Sequence, residues 1–551
     1  MKTKNIFFFP IFAGLMLFAS CSDLLDKEPY GQFTVNQMDT TSVEALMASA
    51  YAGLQCHFFG NNEAFDGPSS NWVFDVRSDD AYKGGGSLSM EAYLTQLELG
   101  NVTSDNPVAL NKWRNDYYGI ARVNNTLNIL KTLHPANLTE LTAELKLIRG
   151  HFYFDLIRIF QNIPYIDENS NSVTAATTAS PTQFTRDQIY DKIVSDFTFA
   201  LNNLPISQAE AGRFNKYAAA AYLCKLSMER KDYAGAITYA NTVIGSNQYA
   251  LYNNYLDMSK IAFNNKKEAV FTIQFSTSNN NAQINWGDLL NTTYSAGNLF
   301  GNGDDFYIGS QNLANAFRTD ANGLPYLNGT DFNSAMDTVG FGGNVDPRLD
   351  FTLGRIGMPF RGYTFTTVWC RDYGDYGDHP NKKRMIDPNS PDMVKGFPWG
   401  ASSLGFNVIR YAEVLLWKAE AEIESNSNLD DARQLINQVR EKAARSVDPF
   451  YSPVDIDMTK ASYKVGDYPS TGWTQAYARS AVRMEYRLEF AMEGHRWFDL
   501  VRWGVATDVM NTYYLQEKAL RPWLNTAQLS ASSIYLPIPI SESDNSGGIY
   551  K

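Results

Sequence analysis

Reactive and metal-binding side chains are scarce in this sequence of 551 residues. There are four cysteines, Cys21, Cys56, Cys224 and Cys370. No two form a C-x-x-C pair, which excludes a zinc knuckle and a thioredoxin-type redox motif. The five histidines, His57, His134, His151, His379 and His495, are scattered. None stands in an H-E-x-x-H frame. There is no G-x-S-x-G elbow, and Gly84-Gly85-Gly86 lacks the following Lys-Ser/Thr and the strand–helix setting of a phosphate loop. Basic charge is also short, with 47 Lys and Arg against 59 Asp and Glu and a net charge of −12. Such a chain repels phosphate backbones, so nucleic acid is not the expected partner. Beyond the first twenty residues no apolar run approaches the length of a membrane span. A cation held by carboxylates, such as calcium, stays open; no other cofactor is indicated.

Apolar and aromatic side chains are plentiful. Apolar residues make up 44% of the chain and aromatics 14%, with 32 Tyr, 33 Phe and 10 Trp. That supports a large core and leaves rings over for flat binding surfaces.

The chain opens with Lys2 and Lys4, followed by an apolar run from Ile6 to Ala19. This is the length and polarity of a secretory leader. It ends Phe18-Ala19-Ser20-Cys21, which resembles a bacterial lipobox; a plain secretory signal is the alternative. The resemblance implies removal of residues 1–20, acylation of Cys21 and a globule held to the membrane by lipid alone. The following Ser-Asp-Leu-Leu-Asp-Lys-Glu-Pro is an acidic tether like those of surface-exposed lipoproteins.

Helical periodicity dominates the rest. Apolar spacing predicts helices over 42–54, 111–133, 139–160 and 185–204, the last with a Thr185 cap and a Pro205 stop. Two Ala-rich pairs, 216–230 with 233–244 and 411–425 with 430–444, have tight links. Each reads as a tetratricopeptide-like hairpin, which must stack on neighbours to bury its face. The long stretch between the pairs is rich in Asn, Gly, Tyr and Asp, with strand-like runs such as 270–276. Residues 56–105 are similar. Long loops of this kind are usually functional.

The segment from Arg483 to Gly504 alternates Arg and Glu around Trp497, Phe498 and Trp503. Glu489 and Glu493 are one helical turn apart, but Arg residues in helical register suit a packed, neutralised helix better than a catalytic carboxylate pair. This segment resembles the signature of the SusD/RagB family of outer-membrane nutrient-binding lipoproteins. Other blocks agree in order: Arg149–Phe160 with Ile163-Pro164, Tyr190–Phe197 with Leu201–Pro205, Arg213–Ala218, Asp346–Asp350, Ile409–Leu416 and Leu536–Pro539.

The resemblance implies a mainly α fold: tetratricopeptide-like hairpins forming a scaffold, and a loop-rich region with short strands. It further implies one SusD-like domain over 21–551. Its helical repeats would lie at about 41–55, 111–245 and 408–445, its ligand-binding loops at about 56–110 and 270–407, and a signature helix at 479–503. The implied role is capture of oligosaccharide or polysaccharide at the outer membrane and its delivery to a SusC-like TonB-dependent transporter, without catalysis.

Glycans offer C–H faces to aromatic rings and hydroxyls to Asp, Asn or Arg. Three loop regions carry that mixture: Asp66, Trp72, Asp79, Asp80 and Tyr82; Trp286 and Tyr294; and Arg371, Tyr373 and Tyr376. Trp72 alternatively packs inward, and Asp79-Asp80 alternatively caps a helix or holds a cation. Overall acidity argues weakly against a polyanionic ligand, unless Lys382-Lys383-Arg384 forms a surface patch. A peptide ligand, as in the RagB branch, is the main alternative function. A glycoside hydrolase is the third, although no carboxylate pair stands out as acid and base.

Overall fold

The computed structural model describes residues 38–55, 71–170, 179–278, 284–285, 293–294, 299–300, 303–327, 343–394, 401–448 and 455–550. The leader, Cys21, Asp66 and Trp286 lie outside these residues.

The architecture is mainly helical, as expected. Helix α1 (Val43–Ala52) is followed by strand β1 (Ala81–Gly84) and helices α2 (Ala92–Leu99), α3 (Pro107–Leu133), α4 (Leu138–Ile159), α5 (Arg186–Asn203), α6 (Lys216–Glu229) and α7 (Tyr233–Ile244). Sequence chemistry sets their ends. Asn106 accepts from the Val108 N–H ahead of Pro107, and Thr185 forms a reciprocal capping box with Gln188. Asp232 caps α7 through the Gly235 N–H. Helix α3 starts earlier than its periodicity suggests because the Asn-Pro start signal stands upstream of the first large apolar residue. Close packing requires small residues where helices cross. A Cβ on Gly119 would stand 2.3 Å from the Phe152 ring, which fixes the approach of α3 to α4.

After α7 come β2 (Ala269–Ile273), β3 (Phe306–Gly309) and the short helices α8 (Gln311–Ala316), α9 (Arg348–Thr352) and α10 (Tyr373–Tyr376). Strand β4 (Phe406–Arg410) leads into α11 (Tyr411–Glu424) and α12 (Leu429–Arg445). The last large elements are α13 (Gln475–Phe490), α14 (Arg496–Arg502) and α15 (Ala506–Glu517). The two hairpins that are far apart in sequence are neighbours in space: α7 packs on α11, and α11 packs on α12 and α13. The array is therefore continuous. Antiparallel pairing of β2 with β4 closes the excursion between them, so the loop-rich residues leave and re-enter the scaffold at one place. A second two-stranded ribbon pairs β1 with β3, Tyr82 opposite Ile308 and Gly84 opposite Phe306.

The Arg/Glu segment is core, but not one helix. Met492 and Gly494 have φ of 62° and 81°, which ends α13 and starts α14 as a separate element. A Cβ at Gly494 would lie 2.5 Å from the Asn71 carbonyl carbon. Its N–H donates to Asp75 at 2.9 Å. The carboxylates are neutralised mostly by other elements rather than in register along the helix. Glu489 meets Arg410 at 2.8 Å, Lys442 at 2.6 Å and Arg348 at 3.2 Å; Glu485 meets Arg348 and Arg440; Glu493 meets Arg410 and Lys383. All of these side chains are buried. Burial alone would raise the Glu489 carboxyl, but Lys442 and Arg410 outweigh it and hold it well below the carboxylate range.

Candidate functional site

Exposed aromatic rings are rare. Among the described residues, the exposed ones are Tyr118 on α3, Tyr294 and Tyr373. The last two flank Arg371. The Arg371 guanidinium lies 5.3 Å from the centre of the Tyr294 ring, a cation–π contact. Tyr373 follows two residues later at the first turn of α10 and is 48% exposed. Tyr294 is 37% exposed.

Two adjacent carboxylates fix Arg371 from both ends. Asp304 accepts from the guanidinium at 2.6 Å, and Asp305 accepts from the Arg371 backbone N–H at 2.8 Å. Asp305 is fully buried, with φ of 56°, and its second carboxylate oxygen has no hydrogen-bond partner among the described residues. Burial pushes its pKa up to about 7, against the pull of the Arg371 N–H. Gly86 lies against Arg371, where a Cβ would stand 3.0 Å from Nε. The β1–β3 ribbon positions these groups, since Gly84–Gly86 leave the end of β1 beside the Asp304-Asp305 entry to β3. From below, Trp369 and Phe300 pack edge to face at 5.2 Å and seat the chain before Arg371. Asp372 accepts from the Asp375 N–H at 3.1 Å and so caps α10. Burial, with the neighbouring Asp372, raises the Asp375 carboxyl. The surface thus offers two phenol faces, one guanidinium and three carboxylates. The rings suit apolar C–H faces, and the charged groups suit hydroxyls.

Tyr294, Arg371 and Tyr373 therefore come together as exposed or half-buried groups. Four other candidate residues need correction. Trp72 is 2% exposed in a 3₁₀ turn and packs edge to face on Phe406 at 5.1 Å, held inward by the close approach of Gly494. Asp79 and Asp80 are buried partners of the signature arginines: Arg496 grips Asp79 at 2.8 Å and 2.9 Å, and Arg487 reaches Asp80 at 2.7 Å. Burial tends to raise Asp79, but Arg487 and Arg496 outweigh it and hold it far below its usual range. The pair neither caps a helix nor faces solvent. Tyr82 is fully buried and donates to Glu517 at 2.5 Å.

Tyr376, expected at the surface beside Tyr373, is a fifth correction. It is fully buried at the last residue of α10 and packs on Trp523 at 5.1 Å. Lys382, Lys383 and Arg384 are buried as well and form no basic surface patch. Sequence reasoning passed over Asp304 and Asp305; the available signal was an acidic pair directly after Gly301-Asn302-Gly303.

Among the described residues no group of His, Cys, Asp and Glu is arranged to hold a metal ion. No described helix is long and apolar enough to cross a membrane. Cys224 and Cys370 are buried, and burial raises both thiols, so neither is poised to react.

A helical-hairpin scaffold that displays an aromatic and carboxylate surface on one long excursion defines a helical-repeat protein with a loop-borne site. The chain belongs to the SusD family, whose sequence pattern matches residues 267–551. A second pattern, described as "Starch-binding associating with outer membrane", matches residues 23–228. A SusD-like protein of Bacteroides ovatus is 26% identical, with 91% of this chain and 83% of the relative covered. SusD-like protein P2 of Formosa agariphila is 24% identical, with 92% of each covered. Among solved structures, a SusD-like carbohydrate binding protein of Bacteroides fragilis superposes with a TM-score of 0.71 at 24% identity, covering 92% of this chain and 98% of that one. Surface glycan-binding protein A of Bacteroides thetaiotaomicron, solved with laminarihexaose, gives 0.68 at 21% identity, covering 93% and 99%.

Proposed function

We propose that this protein captures a glycan at the cell surface, on the face formed by Tyr294, Arg371 and Tyr373, and delivers it to a SusC-like TonB-dependent outer-membrane transporter. The observation that carries the proposal is that two of the three exposed aromatic rings among the described residues flank one arginine fixed by a carboxylate clamp. Family membership and the glycan-binding relatives support the same reading. Asp66 and Trp286, outside the described residues, remain part of the proposal as further glycan contacts.

Binding here needs no bond chemistry. Each ring contributes on the order of 1 kcal/mol beyond its buried area. Single contacts are therefore modest, and a polymer engaging several copies gains by avidity. Asp372 and Asp375 sit within hydrogen-bonding reach of each other rather than opposed across a cleft, which favours binding over glycoside hydrolysis. The protein would hang from acylated Cys21, a single domain over 21–551 facing the cell exterior.

Affinity electrophoresis through gels containing a panel of polysaccharides tests the ligand class. Retardation by one polymer is expected. Retardation by none, together with saturable peptide binding, would replace the proposal with peptide uptake. Delivery is tested by co-purification from the outer membrane, where a TonB-dependent barrel is expected in the complex.

A further inference from the structure

A second concave surface lies at the other end of the β1–β3 ribbon. Helices α13, α14 and α15 enclose a groove of about 410 Å³, within the range of small-molecule sites. Its walls include Leu327, Leu500, Val505 and Val509, and Asp79 and Asn312 stand at the ribbon end. Three guanidiniums, those of Arg483, Arg487 and Arg496, line it.

The three are not equivalent. Arg487 and Arg496 are matched by Asp80 and Asp79. Arg483 is not matched in this way. Its nearest carboxylate, Glu424, is 3.9 Å away and is already held by Arg479 at 2.7 Å and 2.8 Å. Arg483 Nε has no hydrogen-bond partner among the described residues, and the side chain stays 28% exposed. It is held in place against the face of Trp503, 4.9 Å from the ring centre, and the indole N–H is itself pinned to Glu420 at 2.6 Å. Tyr513 also lines the groove, is 3% exposed, and its hydroxyl has no partner among the described residues. A polar group without a partner costs free energy, so an arginine seated on a ring with its Nε unpartnered at the edge of a groove points to a ligand that completes it. Asp508 stands at the rim, open to water.

We propose that this groove is a ligand site separate from the glycan surface, and that it takes a small organic acid with an apolar body. The carboxylate meets Arg483, and the body lies along the aliphatic wall. A guanidinium without a close carboxylate disfavours a neutral hydrophobe as the ligand.

Isothermal titration of the purified protein with 4-hydroxycinnamate and with octanoate tests this. At least one acid should bind saturably, and its neutral alcohol counterpart should bind about tenfold or more weakly, as expected for loss of one charge-assisted contact. Arg483→Gln should produce the same loss. Thr512→Trp, which fills the groove from an exposed position, should abolish binding with an unchanged melting temperature. The proposal is overturned if neither acid saturates at millimolar concentration, if acid and alcohol bind equally, or if binding survives both substitutions. Polysaccharide retardation is read in parallel and should not respond to either variant, so failure of this site is distinguishable from failure of the glycan surface.

Discussion

Asp304 holds the side chain of Arg371 at 2.6 Å while the next residue along, Asp305, holds its backbone N–H at 2.8 Å. The arginine that stacks on Tyr294 and stands two residues before Tyr373 is thus fixed before any ligand arrives, which lowers the entropy cost of binding. Asp304→Ala should leave the fold intact, because the pair is partly exposed. It should weaken glycan binding severalfold by freeing the guanidinium, as titration calorimetry would show. An unchanged affinity would mean that Arg371 does not contact the ligand.

Asp305 predicts a pH dependence. Its folded pKa is about 7, against about 3.9 in an unfolded chain. A raised carboxyl pKa means that the folded state holds the proton longer. Stability from this group is therefore greatest at low pH and declines as pH rises from about 4 to about 7. Asp305→Asn keeps an acceptor for the Arg371 N–H and removes the titration. Denaturation midpoints of the variant should gain on the wild type across that window and stay level above it. Parallel curves would contradict the assignment.

The buried ion network should behave as scaffold. Glu489→Gln leaves Arg410 and Lys442 short of a charge in a dry interior, which costs roughly 3–5 kcal/mol. Urea unfolding should show that loss. Folded variant protein should still bind glycan as tightly as the wild type; a selective loss of binding would place Glu489 in the site after all.

Asp79 offers the matching test with the opposite sign. Its folded pKa is depressed by Arg487 and Arg496, so its stabilisation is complete above about pH 4 and is lost as pH falls below. Asp79→Asn should lower the melting temperature at pH 7 and narrow its gap from the wild type in acid. Affinity for glycan should not change.

Much of the scaffold was legible in the sequence because helices announce themselves locally. Thr185 ahead of α5, Pro205 beyond it and the short Lys231-Asp232 link before α7 are written in consecutive residues, whereas periodicity alone starts α3 four residues late, past its Asn106-Pro107 signal. The site was less legible because exposure in a loop depends on partners far along the chain. Trp72 and Asp79 have the composition of a sugar site, but Phe406 and Arg496 bury them, hundreds of residues away. Tyr373 and Tyr376 look alike in sequence, yet Trp523, far along the chain, covers the second and leaves the first exposed. The break in the signature helix includes Gly494, where both a left-handed φ and the close approach of Asn71 require glycine. Gly494→Ala should cost on the order of 1–3 kcal/mol from backbone strain alone.

The most direct test of the glycan surface is affinity electrophoresis of the Tyr294→Ala, Tyr373→Ala double variant beside the wild type, on whichever polysaccharide retards the wild type. Both rings are exposed, so the variant should melt at the wild-type temperature and migrate as though the gel held no polysaccharide. Retardation equal to the wild type, with the fold intact, would show that the glycan binds elsewhere.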